Sequence, residues 1–365
     1  MGQMKLKVVD LSRVLAGPLC SMVLGDMGAD VIKVERPGQG DETRGWGPPF
    51  DLEGESAYFL SINRNKKSIA LDIGAAEDRA VILDLISGAD VVLDNFLFGS
   101  LERLGLDPEE LLERNPDLIW CTISGFGLEA RRPGYDFVVQ AECGWMAITG
   151  EPDGAPMKVG VALADVIAGK DAAIAILGVV SERASGKVPV ERRRINISLA
   201  DSARAALVNV AQNVLVSGND AERWGNAHPN LVPYQLFDAA DRPFVLAVGS
   251  DGQWKACANA LGLHDFAEDD ALRTNAGRLK NRERVVSNVA DRVKAKKAEH
   301  WIGRLGSAGV PCGLVRTVAE VLSDADADPR TGVRPSVPGS VRYPPPKLDE
   351  QGESIRTMGW RAFQR

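Results

Sequence analysis

Short runs of β-forming residues alternate with helical stretches through the first 125 residues, and this alternation constrains the fold more than any other feature. KVVDLS, DVIKVE, SIALDI, DVVLDNF and LIWCTISGF read as strands. Between them AGPLCSMVLGDMGA reads as a helix, with Pro18 near its start and Gly28 at its end, and AAEDRAVILDLISGA as another. In DPEELLERNP, Asp107 is the cap, Pro108 takes the first position and acids fill the first turn. Such repetition demands a parallel sheet with helices on both faces.

A chain of 365 residues exceeds what one hydrophobic core usually carries, and the texture changes after Ala200. A helix from about Asp201 to Val216 leads into the polar loop SGNDAERWGNAHPN. VPYQLFDAADRPFVLAVG then reads as a hairpin turning at Ala240–Arg242, followed by helices near 251–261, 281–296 and 298–308. The expected fold is α/β: a Rossmann-like large domain over 1–200 and a smaller α+β domain over 220–320. PSVPGSVRYPPP is too proline-rich for regular structure and reads as an extended strap.

Composition narrows the partners. Hydrophobic residues at 45 % and charged residues at 25 % are those of an ordinary globular protein. A net charge of −7 gives no case for nucleic acid, and any anionic ligand would need local basic groups. MGQMKLKVVDLSRVL lacks a basic stretch followed by an apolar core, so no secretory signal is expected, and its sixth residue is not Ser or Thr, as myristoylation needs. No apolar run reaches membrane-spanning length. Cys20, Cys121, Cys143, Cys257 and Cys312 are scattered, with no CxxC pair, and read as reduced, mostly buried thiols of a cytoplasmic protein. With His228, His264 and His300 they make no metal-spaced set, so no metal is expected.

Four stretches are candidates for chemistry. SGFGLEA places Gly125, Gly127 and Ala130 after a strand, but Pro133 and Gly134 interrupt any helix a dinucleotide site would need. It reads as a loop at a strand's carboxyl end, where open α/β sheets bind ligands. NRNKKSIALD (Arg64, Lys66, Lys67) and KVERPG (Lys33, Glu35, Arg36) read first as solvated charge, with a basic rim for phosphates as the alternative. Asp165 is the one acid at the mouth of the long apolar stretch VGVALADVIAGKDAAIAILGVV. It reads as a helix N-cap with a depressed pKa, a state that also suits a nucleophile. His228 in GNAHPN has no adjacent Ser or Cys, and no G-x-S-x-G elbow exists, so it reads as a loop residue.

Taken together, LSRVLAGPLCSMVLGDMGADVIKVERPGQGDETR, NRNKKSIALD, DNFLFGSLERLGL, NPDLIWCTISGFG, RPGYDFVVQAECGWMAITGEPDGAPMKVGVALAD, ERASGK, GNAHPNLVPYQLF and SAGVPCGLV resemble the class III CoA transferases, also called the CaiB/BaiF family, in order and spacing over about residues 5–325. The resemblance implies a homodimer of two interlinked ring-like chains, with residues 321–365 returning to the large domain. It implies acyl-CoA and a carboxylic acid as substrates, with succinyl-CoA as the expected donor, and no tightly bound cofactor. The family's catalytic Asp lies thirty residues after the aromatic of GYD, which from Tyr135 gives Asp165. It would attack the donor thioester and carry CoA as an aspartyl thioester, with backbone N–H groups at the helix start facing the oxyanions.

The resemblance further implies that Arg36, Leu71, Asn95, Phe96 and Arg103 line the CoA groove, with Arg132 nearby as a phosphate partner. It sets Leu15, Tyr58, Tyr135 and Asp136 around the acyl group, and Gly225, Asn226 and His228 in a loop over it. Two departures stand out. NFLFG has Leu97 where an arginine is common, and Leu15 replaces the glutamine of formyl-CoA transferases, which argues against formyl or oxalyl substrates. An α-methylacyl-CoA racemase of the same fold is the alternative, but its GHD histidine is Tyr135 here. A non-catalytic CoA-binding protein is a third reading.

Overall fold

The computed structural model describes residues 5–364. Six strands form one sheet: β1 (Lys7–Asp10), β2 (Asp30–Glu35), β3 (Lys66–Ala70), β4 (Val91–Asp94), β5 (Ile119–Ser124) and β6 (Arg194–Ser198). Their order is β3-β2-β1-β4-β5-β6 and every neighbouring pair is parallel. Residues alternate faces along a strand. Val8, Val31 and Val91 therefore enter one core, while Val9, Ile32 and Val92 enter the other.

The first core is closed by helices α1 (Ala16–Asp26), α2 (Asp136–Glu142), α3 (Leu163–Arg183) and α4 (Leu199–Ala205). α3 meets α1 through small residues, Ala164, Ala168, Gly169, Ala172 and Ala173, all buried. A Cβ at Gly169 would lie 2.5 Å from the Ala16 carbonyl oxygen, so only glycine lets these two helices come this close.

The strand order reverses direction between β1 and β4. In open α/β sheets the crevice beyond the carboxyl ends of the strands at this point is where ligands bind. The segments leaving β1 (11–15) and β4 (95–98) meet there. Asn95 ties them: its Oδ1 accepts from the Arg13 N–H at 3.0 Å and its Nδ2 donates to the Arg13 carbonyl at 2.7 Å.

The chain divides into two compact units. The larger comprises 5–146, 158–219 and 325–364; the smaller comprises 147–157 and 220–324. In the smaller, β7 (Tyr234–Asp238), β8 (Pro243–Ala247) and β9 (Cys312–Leu314) form an antiparallel sheet. Helices Asp251–Leu261, Arg282–Val293 and Ala298–Ser307 cover it around Trp254, Phe244 and Trp301.

Several expectations need correction. Residues 147–157 cluster with the smaller unit, because Arg223 donates to the carbonyls of Ala147, Glu151 and Gly154. The single helix expected over 201–216 is two, Leu199–Ala205 and Val208–Ser217. Strand β6 was not anticipated, since the charged run ERRR hides it. Arg193 of that run is buried and donates to the carbonyls of Leu112, Asn115 and Leu118.

Arg64, Lys66, Lys33 and Glu35, read as solvated charge, are buried ion pairs. Arg64 holds Asp26 at 2.7 Å, Lys66 holds Asp10 at 3.1 Å, Lys33 holds Asp41 at 2.9 Å and Arg44 holds Glu35 at 2.8 Å. Arg64 and Lys66 find partners 38 and 56 residues away, and Lys33 and Glu35 find theirs just beyond KVERPG, so each run looked unpaired. Asp41 shows the effect of pairing: burial alone would raise its pKa, yet Lys33 brings it down to about 2.

Candidate active site

Asp165 sits in the first turn of α3, at the switch-point crevice. The helix begins at Leu163 and its N-cap is Ala162, so Asp165 is not the cap, as its position had suggested. The cap comes from a distant residue. Asp136 Oδ1 accepts from the backbone N–H of Ala164 at 2.8 Å and of Asp165 at 3.4 Å. Its Oδ2 accepts from Gln140 Nε2 at 2.6 Å, and Gln140 Oε1 accepts from the Val159 N–H at 2.8 Å. Thus α2, through Asp136 and Gln140, fixes both the start of α3 and the segment entering it.

This arrangement sets the chemistry of Asp165. Its carboxyl is pushed up to about 7 by burial and by the charge of Asp136 beside it, the reverse of the depressed value a cap would have. With an acid for a neighbour and no ion-pair partner among the described residues, the ionised form of Asp165 is disfavoured. Tyr58 shares the site: burial and the carboxylates of Asp165 and Asp136 push its phenol up to about 12, so it is a neutral O–H donor at any physiological pH. The amides of Ala164 and Asp165, expected to face an oxyanion, are taken by Asp136.

Asp165 lines a cleft of about 260 Å³ together with Leu15, Asn95, Phe96, Arg132 and Tyr135. The loop 125–134 forms one wall, folded tightly because Gly125 and Gly134 are in backbone contact; a Cβ on Gly125 would lie 2.5 Å from the Gly134 Cα. Leu97, where an arginine was expected, and its neighbour Phe98 line the cleft with exposed apolar side chains. Arg132 is held by Glu142 and stacks on Phe126 at 3.6 Å. An adjoining cleft of about 200 Å³ gathers Arg36, Leu71 and Phe96 with Lys33 and Ile73. Arg103 lines neither; it is exposed and bonded to Ser100 Oγ at 2.9 Å.

Gly225, Asn226 and His228 belong to the smaller unit. There the Gly225 N–H donates to the Gly150 carbonyl at 3.2 Å, Asn226 is exposed, and His228 Nδ1 accepts from the Asn230 N–H at 3.0 Å. Sequence reasoning missed two residues of the larger cleft, Arg13 and Glu42.

Comparison with known proteins is consistent over nearly the whole chain. Residues 4–351 match the model of CoA-transferase family III. The succinate–glutarate CoA-transferase of Agrobacterium fabrum is 40% identical over 334 residues, covering 89% of this chain and 82% of that protein. The human succinyl-CoA:glutarate CoA-transferase is 38% identical over 359 residues, covering 94% and 81%. A crystal structure of a CaiB/BaiF family protein from Brucella suis superposes with a TM-score of 0.85 at 41% identity, covering 96% of this chain and 97% of that one. The chain belongs to CoA-transferase family III and is an enzyme of CoA transfer. Among the described residues no helix is long and apolar enough to cross a membrane.

Proposed function

We propose that the enzyme moves CoA from succinyl-CoA to a second carboxylic acid through a thioester on Asp165. The observation that carries this reading is the Asp165 carboxylate, facing the switch-point cleft with Asp136 beside it and no cation. The names of the relatives support a dicarboxylic pair such as succinate and glutarate.

In the first step an Asp165 oxygen attacks the donor thioester carbonyl, and the C–S bond breaks to give a mixed anhydride and CoA thiolate. The thiolate then attacks the Asp165 carbonyl carbon, forming aspartyl-CoA thioester and releasing the donor acid as a carboxylate. The acceptor carboxylate runs the two steps in reverse. Each covalent stage removes the charge of Asp165 and so relieves its repulsion with Asp136, which favours the intermediate over the resting acid. The neutral Tyr58 hydroxyl is the donor for the oxyanions, since the α3 amides are occupied. Arg36, Leu71 and Phe96 support the CoA side of the cleft, and Leu15 and Tyr135 the acyl side. Exposed Ile174, Leu215 and Val216 leave apolar faces that support a homodimer, and the free cysteines support a cytoplasmic setting.

The test is intact-protein mass spectrometry after mixing with succinyl-CoA and no acceptor, then with glutarate in D2O. A CoA adduct on the Asp165 peptide, followed by glutaryl-CoA without α-deuterium, is expected. Deuterium at the α-carbon of a 2-methylacyl-CoA without exchange would instead mean a racemase.

A further inference from the structure

Arg13 has an arrangement that a structural arginine would not need. Its backbone is clamped on both sides by the Asn95 amide, and the next residue, Val14, has φ +72°. A β-branched residue in the left-handed region is strained and persists only where its surroundings impose it. The Val14 N–H is steered to Asp41 Oδ1 at 3.3 Å, which itself is fixed by buried Lys33. Strain and clamp together aim one side chain, Arg13, at the junction of the two clefts, both of which it lines.

The guanidinium there is only partly satisfied. Nη1 meets Glu42 at 2.5 Å and the plane lies over Phe96 at 5.3 Å, but Nε is buried with no partner among the described residues. A buried donor left unmade is unfavourable, and a carboxylate binds arginine best side-on, through two parallel N–H groups. Glu42 uses one nitrogen. Its side chain is 43% exposed, and ion pairs so open to solvent contribute little. The other arginine of the Asp165 cleft, Arg132, is already held by both oxygens of Glu142.

We infer that Arg13 is the specificity residue of the acyl site: it exchanges Glu42 for the distal carboxylate of a dicarboxylic acyl group, so the enzyme selects diacids over monoacids at the Asp165 cleft. This rests on the reading of that cleft as the acyl site. Glu42 fills the place of the substrate carboxylate in the free enzyme, keeping the charge of Arg13 balanced until a diacid arrives. An acyl chain without a second carboxylate leaves the pair closed and gains nothing from it.

The experiment compares the full-length enzyme with Arg13→Gln and Arg13→Lys in exchange between succinyl-CoA and glutarate, and between butyryl-CoA and valerate. The readout is the ratio of kcat/KM for the diacid pair to that for the monoacid pair. Loss of a charged hydrogen-bonding partner predicts that Arg13→Gln lowers this ratio by about 30- to 100-fold. Arg13→Lys, which keeps the charge but not the fork, restores it in part. Glu42→Gln, which loosens the resting pair, lowers KM for glutarate. An equal loss with both pairs would assign Arg13 to the CoA moiety or to the fold and overturn the inference. So would an unchanged ratio, or a wild-type enzyme that prefers monoacids. A wild-type enzyme that forms no CoA adduct at Asp165 would instead sink the proposed mechanism itself.

Discussion

Two groups of carboxylates in the larger unit are treated in opposite ways. Beneath the carboxyl ends of β1 and β2, Asp10, Glu35 and Asp41 each face a lysine or arginine, and all three are held below the ordinary carboxylate range despite burial. At the start of α3, Asp165 faces another acid and rises to about 7. The first group braces the floor of the crevice. The second stores electrostatic strain at the carboxyl proposed as the nucleophile. Burial pushes all four carboxyls up; a facing lysine or arginine overrides it at Asp10, Glu35 and Asp41, whereas at Asp165 the neighbouring charge adds to it.

The sharpest way to break this comparison is to neutralise Asp165. Asp165→Asn should lower exchange by roughly 10³-fold or more, measured as kcat with saturating succinyl-CoA and glutarate. The same variant should be more stable. A carboxyl whose folded pKa lies above its unfolded value contributes stability only at low pH and loses it as pH rises through the folded pKa, here about 7. Thermal melting should therefore show a gain of several degrees at pH 8 and a smaller one at pH 5; a loss at pH 8 would mean that Asp165 is not strained.

Breaking a pair in the other group should do the reverse. Lys66→Met leaves Asp10 buried and uncompensated, and should cost about 3–5 kcal/mol in urea unfolding. A variant as stable as the wild type would show that the floor is not held by its charges.

Asp136→Asn sharpens the comparison instead. The amide oxygen can still accept from Ala164 and Asp165, but the charge is gone, so the pKa of Asp165 should fall. The rising limb of kcat/KM against pH should move from near 7 to lower pH by about one unit. Burial, the larger cause, remains and keeps it above the ordinary range. A limb that stays in place would remove Asp136 from the account. The smallest effect is expected at the rim: Arg36→Ala should raise KM for every acyl-CoA by about tenfold, one charged contact's worth, with little change in melting temperature.

Much of this was legible because it is local. Five of the six sheet strands, the Asp107 cap and the hairpin of the smaller unit follow from periodicity and turn residues within a few positions. The candidacy of Asp165 is not local in this sense: it comes from the family resemblance, which counts thirty residues on from Tyr135. What lies across the chain did not follow. The cap of α3 comes from Asp136, twenty-eight residues before Ala164, and Lys66 finds Asp10 fifty-six positions away, so one looked like no cap and the other like surface. Arg13 escaped notice for a related reason: a lone arginine after a strand belongs to no motif, and only the clamp by Asn95 and the strain at Val14 give it direction.

The outer edge of β3 has a consequence of its own. The Gln351 N–H donates to the Ser68 carbonyl at 3.2 Å, and the Ser68 and Ala70 N–H groups donate to the side chains of Gln351 and Asp349 at 2.9 and 2.8 Å. These partners leave the ribosome some 280 residues after the strand they cover, roughly 15–55 s later at ordinary synthesis rates. Throughout that interval the nascent sheet carries a bare edge, open to pairing with any other extended chain. The burden falls on the cell's folding machinery, and truncating the last forty residues should shift the recovered protein mainly into inclusion bodies.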